Sequence, residues 1–148
     1  MKTIDETDLK IIRLLEEDSR LSLRKLAQKA TLSPVITHKR ISSLEHKGII
    51  RGYVPILDAA KMGYPLTAII MVQVVGGHAV EVENKVAQEN NVLSVFEITG
   101  EQDIIIFAKF RDNASLNSFL KELLTERFIK RTTTLIALNA IKEYTKMI

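Results

Sequence analysis

The sequence predicts an α+β fold in two parts, three short helices and then a four-stranded sheet carrying two more helices. Three observations predict it. Up to about residue 47 apolar residues recur at the three-and-four spacing of helices, and capping or stop residues bracket each run. After Gly48 the period shortens and β-branched residues take over, with Gly52 and Pro55 interrupting. From Leu66 onward strand-like and helix-like runs alternate in the order βαββαβ.

The first helix is expected to start at Asp5, which caps it with Asp8 at the third helical position, while Ile4 and Leu9 flank the cap as a hydrophobic staple. Leu9, Ile11, Ile12 and Leu15 give it a core face that runs to about Glu17, before Asp18-Ser19-Arg20 break the pattern. Ser22 caps a second, shorter helix with Leu23, Leu26, Ala27 and Ala30 inward, and Thr31-Leu32 make the turn that follows. Ser33 is the next N-cap, Pro34 fits the first helical position because its missing donor costs nothing there, and Gly48 is the stop. Between them Thr37, Ile41 and Leu44 form an inward stripe, leaving Val35, Lys39, Ser42, Ser43 and His46 outside. Three helices so spaced make a helix-turn-helix, residues 1–50, with the third helix displayed. Residues 49–56 read as a short strand and connector, residues 58–62 as one helical turn before Gly63, and the hinge spans 51–64.

The second domain, 65–148, begins at Pro65. Its expected elements are a strand over 66–75, a turn at Gly76-Gly77, a helix over 78–89 with Ala79, Val82 and Val86 on one side, and a strand over 92–99. Gly100-Glu101-Gln102 then connects to a hairpin partner over 103–110, Asn113 or Ser115 caps a helix striped by Leu116, Phe119, Leu120 and Leu123, and a last strand covers 132–144. This is a ferredoxin-like arrangement, two helices on one face of a four-stranded antiparallel sheet. Yet the strands are apolar on both faces. Ile104, Ile106, Ala108 and Phe110 oppose Ile105 and Phe107, and Ala68, Ile70, Val72 and Val74 oppose Ile69, Met71 and Val75. A half-solvated antiparallel strand alternates with polar residues instead, so the second face is expected to pack on another copy of the chain.

At 148 residues, 46% hydrophobic and 26% charged, the chain has a folded profile. It has no cysteine, which removes disulfides, thiolate chemistry and cysteine-based zinc sites. The N-terminus opens directly into a helix pattern and no apolar run approaches the ~20 residues that span a bilayer, so neither secretion nor membrane insertion is expected and the location is cytoplasmic, with the nucleoid.

Net charge is only +3, but it is unevenly placed. Between Arg20 and Arg51 lie eight basic residues against the single acid Glu45, whereas from Tyr53 onward ten basic residues face eleven acidic ones. Positive charge gathered in the helix-turn-helix segment is what phosphate contact requires, which makes double-stranded DNA the expected partner. Ser33, Pro34, Val35, Thr37, His38, Lys39, Arg40 and Ser43 are the expected DNA-facing set. Lys39 and Arg40 lead it, Arg40 because a guanidinium bonds bidentately to guanine or straddles a phosphate. Val35 has thymine methyl groups as its apolar complement, with packing on neighbouring helices as the other reading for Val35 and Ile36; for Thr37 the inward phase favours a core position. An enzyme finds little support. There is no nucleophile-elbow serine, no phosphate-cradling glycine loop, and the three histidines are not spaced as metal ligands, so neither metal nor cofactor is expected.

Ile4-Asp5-Glu6-Thr7-Asp8 with Ile11-Ile12, then Leu32-Ser33-Pro34, Arg40-Ile41 with Leu44-Glu45, Gly48-Ile49-Ile50, and Thr99-Gly100-Glu101-Gln102-Asp103, in this order, resemble the Lrp/AsnC (leucine-responsive, feast/famine) family over essentially the whole chain. The resemblance implies a prokaryotic transcriptional regulator, a homodimer often assembled further into octamers, whose DNA binding or assembly responds to a small effector, usually an amino acid. It also implies that the Thr99 to Asp103 turn borders the effector pocket between neighbouring dimers. We infer that N–H groups near Gly100 would hold an α-carboxylate there and that Asp103 would pair with an α-ammonium; Thr132 and Thr134, on one side of the last strand by its period of two, would offer hydroxyls, with β-propensity as the other reading for them. Taken alone, the same five residues read as a hairpin turn. The chain departs from the usual family pattern at Thr31, Val35-Ile36, Thr37 and Gln102, where glycine, small polar residues, valine and an aromatic are common. An architectural protein that coats DNA without an effector is the alternative reading.

Overall fold

The computed structural model describes residues 4–143. They divide into two compact units, one built on residues up to Ile56 and the other spanning Leu57–Ile141.

The first unit holds α1 (Glu6–Glu17), α2 (Leu23–Ala30) and α3 (Pro34–His46). All three expected caps form. Asp5 accepts from the Asp8 N–H at 2.8 Å while the Asp8 carboxylate takes the Asp5 N–H, Ser22 accepts from Lys25 and Ser33 from Ile36, so each helix start has a donor satisfied by a residue three positions away. Ile11, Leu26 and Ala30 form the centre of the core, with Leu14, Leu15, Leu21, Leu32 and Ile41 against it and Leu44 buried in α3. Leu23, expected inward, lies in the first turn of α2 and stays 39% exposed. At the end of α3 the Gly48 N–H bonds the Glu45 carbonyl and the Ile49 N–H the Leu44 carbonyl, a stop that needs the left-handed φ of +67° that Gly48 supplies.

The turn between α2 and α3 is less relaxed. Thr31 adopts left-handed φ 63°, ψ 42°, which a β-branched side chain tolerates poorly. Thr31→Gly is therefore expected to stabilise the protein by about 0.5–1 kcal/mol, the relief of strain exceeding the added freedom of the unfolded chain. Chemical denaturation checks it, and a lower midpoint in the variant would refute it.

The strand expected over 49–56 is absent. A strand exists only where another satisfies its backbone groups, and no segment among the described residues pairs with this one. Residues 58–62 do close one helical turn, with Met62 N–H on the Asp58 carbonyl.

The second unit contains β1 (Leu66–Val74), α4 (Ala79–Val86), β2 (Val92–Glu97), β3 (Ile104–Phe110), α5 (Asn113–Leu124) and β4 (Ile129–Ile136), with the antiparallel sheet ordered β2-β3-β1-β4. This is the expected βαββαβ order. Ala68, Ile70, Val72 and Val74 of β1 and Ile104, Ile106, Ala108 and Phe110 of β3 are buried beneath Val82 and Val86 of α4 and Leu116, Phe119 and Leu123 of α5.

Three details differ from expectation. Asp112, rather than Asn113 or Ser115, caps α5, because Ser115 then sits at the third helical position and the two side chains exchange hydrogen bonds with each other's backbone. The α4 helix spans only Ala79–Val86, and His78 before it gives no side-chain cap. The last strand starts at Ile129 and stops at Ile136, not over 132–144. Its ladder partner is β1, and once Ile136 faces Ala68 and the Ala137 N–H reaches the Thr67 carbonyl, β1 has run out. The portion of that expected strand from residue 144 on lies outside the described residues.

The other face of the sheet carries Ile69, Met71, Phe96, Ile105, Phe107 and Leu135, paired across strands as Ile69 with Phe107 and Leu135, and Ile105 with Met71 and Phe96. Neither α4 nor α5 packs on this side. Phe96 and Phe107 meet edge to face at 6.3 Å, yet Phe96 is 54% and Leu135 50% exposed. Polar groups rim the face, with Lys109 donating to Thr67 toward one end and Gln73 at the other.

Candidate nucleic-acid interface

The phase of α3 follows from its caps. With Pro34 at the first helical position and Leu44 and Thr37 turned into the core, Val35, His38, Lys39, Ser42 and His46 fall on one exposed side. Ser33 and Pro34 are exposed at its start. Arg20, Arg24, Lys25, Lys29, Lys47 and Arg51 are exposed elsewhere on the same unit, so the unit that displays α3 is rich in exposed cations.

Two expected DNA contacts are occupied within the protein. Thr37 is fully buried, as its inward phase favoured, and its hydroxyl donates to the Ser33 carbonyl at 3.0 Å, which removes it from the expected DNA-facing set. Arg40, expected as a leading contact, turns to α1 instead. Its Nη1 bonds Asp5 Oδ1 at 2.9 Å, Asp5 Oδ2 at 2.7 Å and Asp8 Oδ1 at 2.8 Å. The guanidinium holds the Asp5 carboxyl below the usual carboxylate range, helped by the Asp8 N–H, and the two carboxylates raise the Arg40 pKa in return. Arg40 thus pins the middle of the third helix to the N-terminal cap of the first. Ser43, three residues further along the Arg40 side, is half-buried. Lys39 stays exposed on the outer side.

Sequence reasoning missed the role of Tyr53. Its hydroxyl donates to Glu45 Oε1 at 3.0 Å, tying the chain after the stop back to the end of α3. Burial first, then the Glu45 carboxylate, push the Tyr53 phenol up to about 12. The sequence carried no signal beyond an aromatic in an extended run.

In the second unit the turn after β2 is fastened to β1. The Asp103 N–H donates to the Val72 carbonyl at 3.0 Å and Asp103 Oδ2 accepts from the Val74 N–H at 2.8 Å, while Gln73 donates to the Glu101 carbonyl. Gly100 has φ +129°, and Thr99, Gly100 and Glu101 are exposed. Gln102 is half-buried with its Oε1 lacking a hydrogen-bond partner. Thr132 faces Val72 across the ladder, so Asp103 and Thr132 flank the same β1 residue from either side. Thr134 faces Ile70 one pair deeper, and both threonines share the helix-covered side with these buried partners; Thr133, opposite Met71, takes the bare side. Among the described residues no group of His, Asp and Glu is placed to hold a metal, and no helix is long and apolar enough to cross a membrane.

Comparison with known proteins matches both halves. Residues 4–45 fit the family model described as AsnC-type helix-turn-helix domain, and residues 67–147 fit Lrp/AsnC ligand binding domain. An HTH-type transcriptional regulator of Pyrococcus furiosus is 41% identical over 140 residues, 95% of either chain. The HTH-type transcriptional regulator FL11 of Pyrococcus horikoshii is 31% identical, covering 97% of this chain and 95% of its own. Among solved structures, the transcriptional regulator NMB0573 of Neisseria meningitidis, in complex with L-Met, superposes with a TM-score of 0.91 at 32% identity over 99% of this chain and 97% of that one.

Proposed function

Because the chain belongs to the Lrp/AsnC family of transcriptional regulators, we propose that its parts divide the work as follows. The head, residues 1–50, reads double-stranded DNA by laying the outer side of α3 in the major groove, with Ser33, Pro34, Val35, His38, Lys39 and Ser42 toward the duplex. Residues 51–64 are the hinge. The domain from 65 onward pairs with a second copy through the bare sheet face, dimers associate further, and an amino acid bound at the Thr99 to Asp103 turn biases that association.

The observation that carries the DNA assignment is the division between neighbours on α3. Arg40 is spent on Asp5 and Asp8, while Lys39 stands exposed among apolar and hydroxyl groups in a cationic setting. Lys39→Ala is expected to weaken operator binding about tenfold and to flatten the salt dependence by about one counterion, as loss of one phosphate contact does. Unchanged affinity in a salt titration would move the reading surface elsewhere.

For the effector, the L-Met complex of the Neisseria regulator supports an amino acid, and methionine is the first probe. Backbone N–H groups beside Gly100 suit an α-carboxylate. Asp103 has one carboxylate oxygen on the Val74 N–H, and its other oxygen is the acceptor this reading assigns to an α-ammonium. Gln102, with a buried acceptor lacking a partner, is a second candidate for that ammonium. Thr132 borders this end of β1, whereas Thr134 is one pair further in. A ligand that binds every assembly state equally regulates nothing, so the effector must prefer one of them. A thermal-shift screen against the common amino acids tests this, since a ligand at a hundred times its dissociation constant adds about 2.7 kcal/mol. A flat screen at millimolar concentrations would leave a regulator without an amino-acid effector. Such a protein works on the nucleoid, in the cytoplasm.

A further inference from the structure

The first turn of a recognition helix is the part that reaches base edges, and in this chain that turn is Pro34-Val35-Ile36. None of these side chains can make a hydrogen bond. Ser33 before them already accepts the Ile36 N–H, and Thr37 after them is buried with its hydroxyl on the Ser33 carbonyl. Val35 nevertheless stands 78% exposed and Ile36 49%. Two β-branched side chains held out to solvent at the tip of a helix, within a cationic surface, have lost apolar burial that nothing within this unit restores.

Resting on the reading of α3 as the DNA-facing helix, we infer that Val35, seconded by Ile36, is the specificity-determining group of the head and selects thymine through its C5-methyl. The major groove offers one apolar group that protrudes from a base, that methyl; guanine and adenine present donors and acceptors there, and cytosine an amino donor beside a bare C5–H. A valine against any of those leaves a base edge dehydrated and unpaired, whereas against thymine it covers a carbon. The chemistry recognised is therefore a methylated pyrimidine at the position in each half-site where the first turn lands, with Lys39 and His38 on the same side of the helix left for phosphate or purine acceptors. The exposed lysines and arginines of this unit, eight basic residues against one acid between Arg20 and Arg51, argue for a polyanion as the occupant of this apolar tip rather than a protein surface.

The test uses the full-length protein and a duplex selected by it from random DNA. Each thymine is replaced in turn by deoxyuridine, which deletes the methyl and keeps every hydrogen bond. At one thymine per half-site the replacement is expected to weaken binding about fourfold, the factor that corresponds to about 0.8 kcal/mol per buried carbon. The Val35→Ser variant, altered at an exposed site that leaves folding intact, is expected to lose that sensitivity, and 5-methylcytosine at the same position is expected to bind better than cytosine. Affinity within twofold at every deoxyuridine position, or equal sensitivity in wild type and Val35→Ser, would overturn the inference while a loss on Lys39→Ala kept the helix as the reading head. If Lys39→Ala and Val35→Ser both bound DNA normally, the helix assignment and the inference would fall together.

Discussion

Arg40→Ala is expected to reduce DNA affinity at least a hundredfold without changing the slope of log affinity against log salt in what remains. An arginine contacting phosphate predicts otherwise, because its loss releases one counterion fewer and lowers the slope by about one. Here the guanidinium touches Asp5 and Asp8 instead. Removing it leaves the Asp8 carboxylate, only 8% exposed as a residue, without its cation, and frees α3 from the start of α1. The Arg40 to Asp8 contact falls between an exposed pair and a buried one, so its loss costs about 1–3 kcal/mol of stability. A misplaced reading helix then loses several groove contacts together. Asp8→Asn is expected to reproduce much of the defect although Asp8 is an acid, whose removal would strengthen DNA binding if electrostatics alone decided. Normal DNA affinity in Asp8→Asn would return Arg40 to the DNA surface.

The same tie sets a pH window. Asp5 is ionised more readily in the folded chain than in the unfolded one. Its contribution is fully present above the ordinary aspartate pKa, about 4, and is lost as pH falls through the lower folded value. The tie therefore persists from pH 8 to pH 5, and the head is expected to loosen only below about pH 4, a transition that Arg40→Ala should lack.

What the sequence made legible was local. Asp5, Ser22 and Ser33 each act on a residue three positions on, so their spacing alone located three helix starts. Asp112 failed that reading because several adjacent polar residues were able to cap, and only Ser115 reaching back decides between them. Arg40 and Asp5 lie 35 residues apart, and nothing short of the packed helices brings them together; read by itself, an arginine on a basic helix looks like a DNA contact. That Thr132 and Thr134 share one side of the last strand was legible from its period of two, but which side was hidden. Which face they take depends on the β4 register, which shifts between Gln73 and Val74 of β1. The apolar, β-branched make-up of residues 49–56 was visible, but pairing is a property of two segments, and among the described residues no second one lies against it.

Phe107→Glu is expected to turn a dimer into a monomer. On sizing with light scattering the wild type should show about twice the 16.7 kDa chain mass or a multiple of it, and the variant the single mass. The bare face has the make-up of an interface, an apolar centre of Ile69, Met71, Phe96, Ile105, Phe107 and Leu135 with Lys109, Thr67 and Gln73 at its edge. A two-fold interface repeats each change, so one substitution removes two phenylalanines and buries two carboxylates. At roughly 2 kcal/mol per lost aromatic burial the apolar term alone weakens association about a thousandfold, and unpaired charge adds to it. Folding survives because Phe107 lies outside the core that α4 and α5 cover; circular dichroism of the variant checks this, and Phe96→Glu at the neighbouring, more exposed position gives an independent disruption. DNA binding should fall with dimerisation, since one head on one half-site lacks the effective concentration that linkage to a second provides. A monomeric wild type at micromolar concentration, or undiminished mass in both variants, would leave the apolar face to some other partner and remove the dimer from the mechanism.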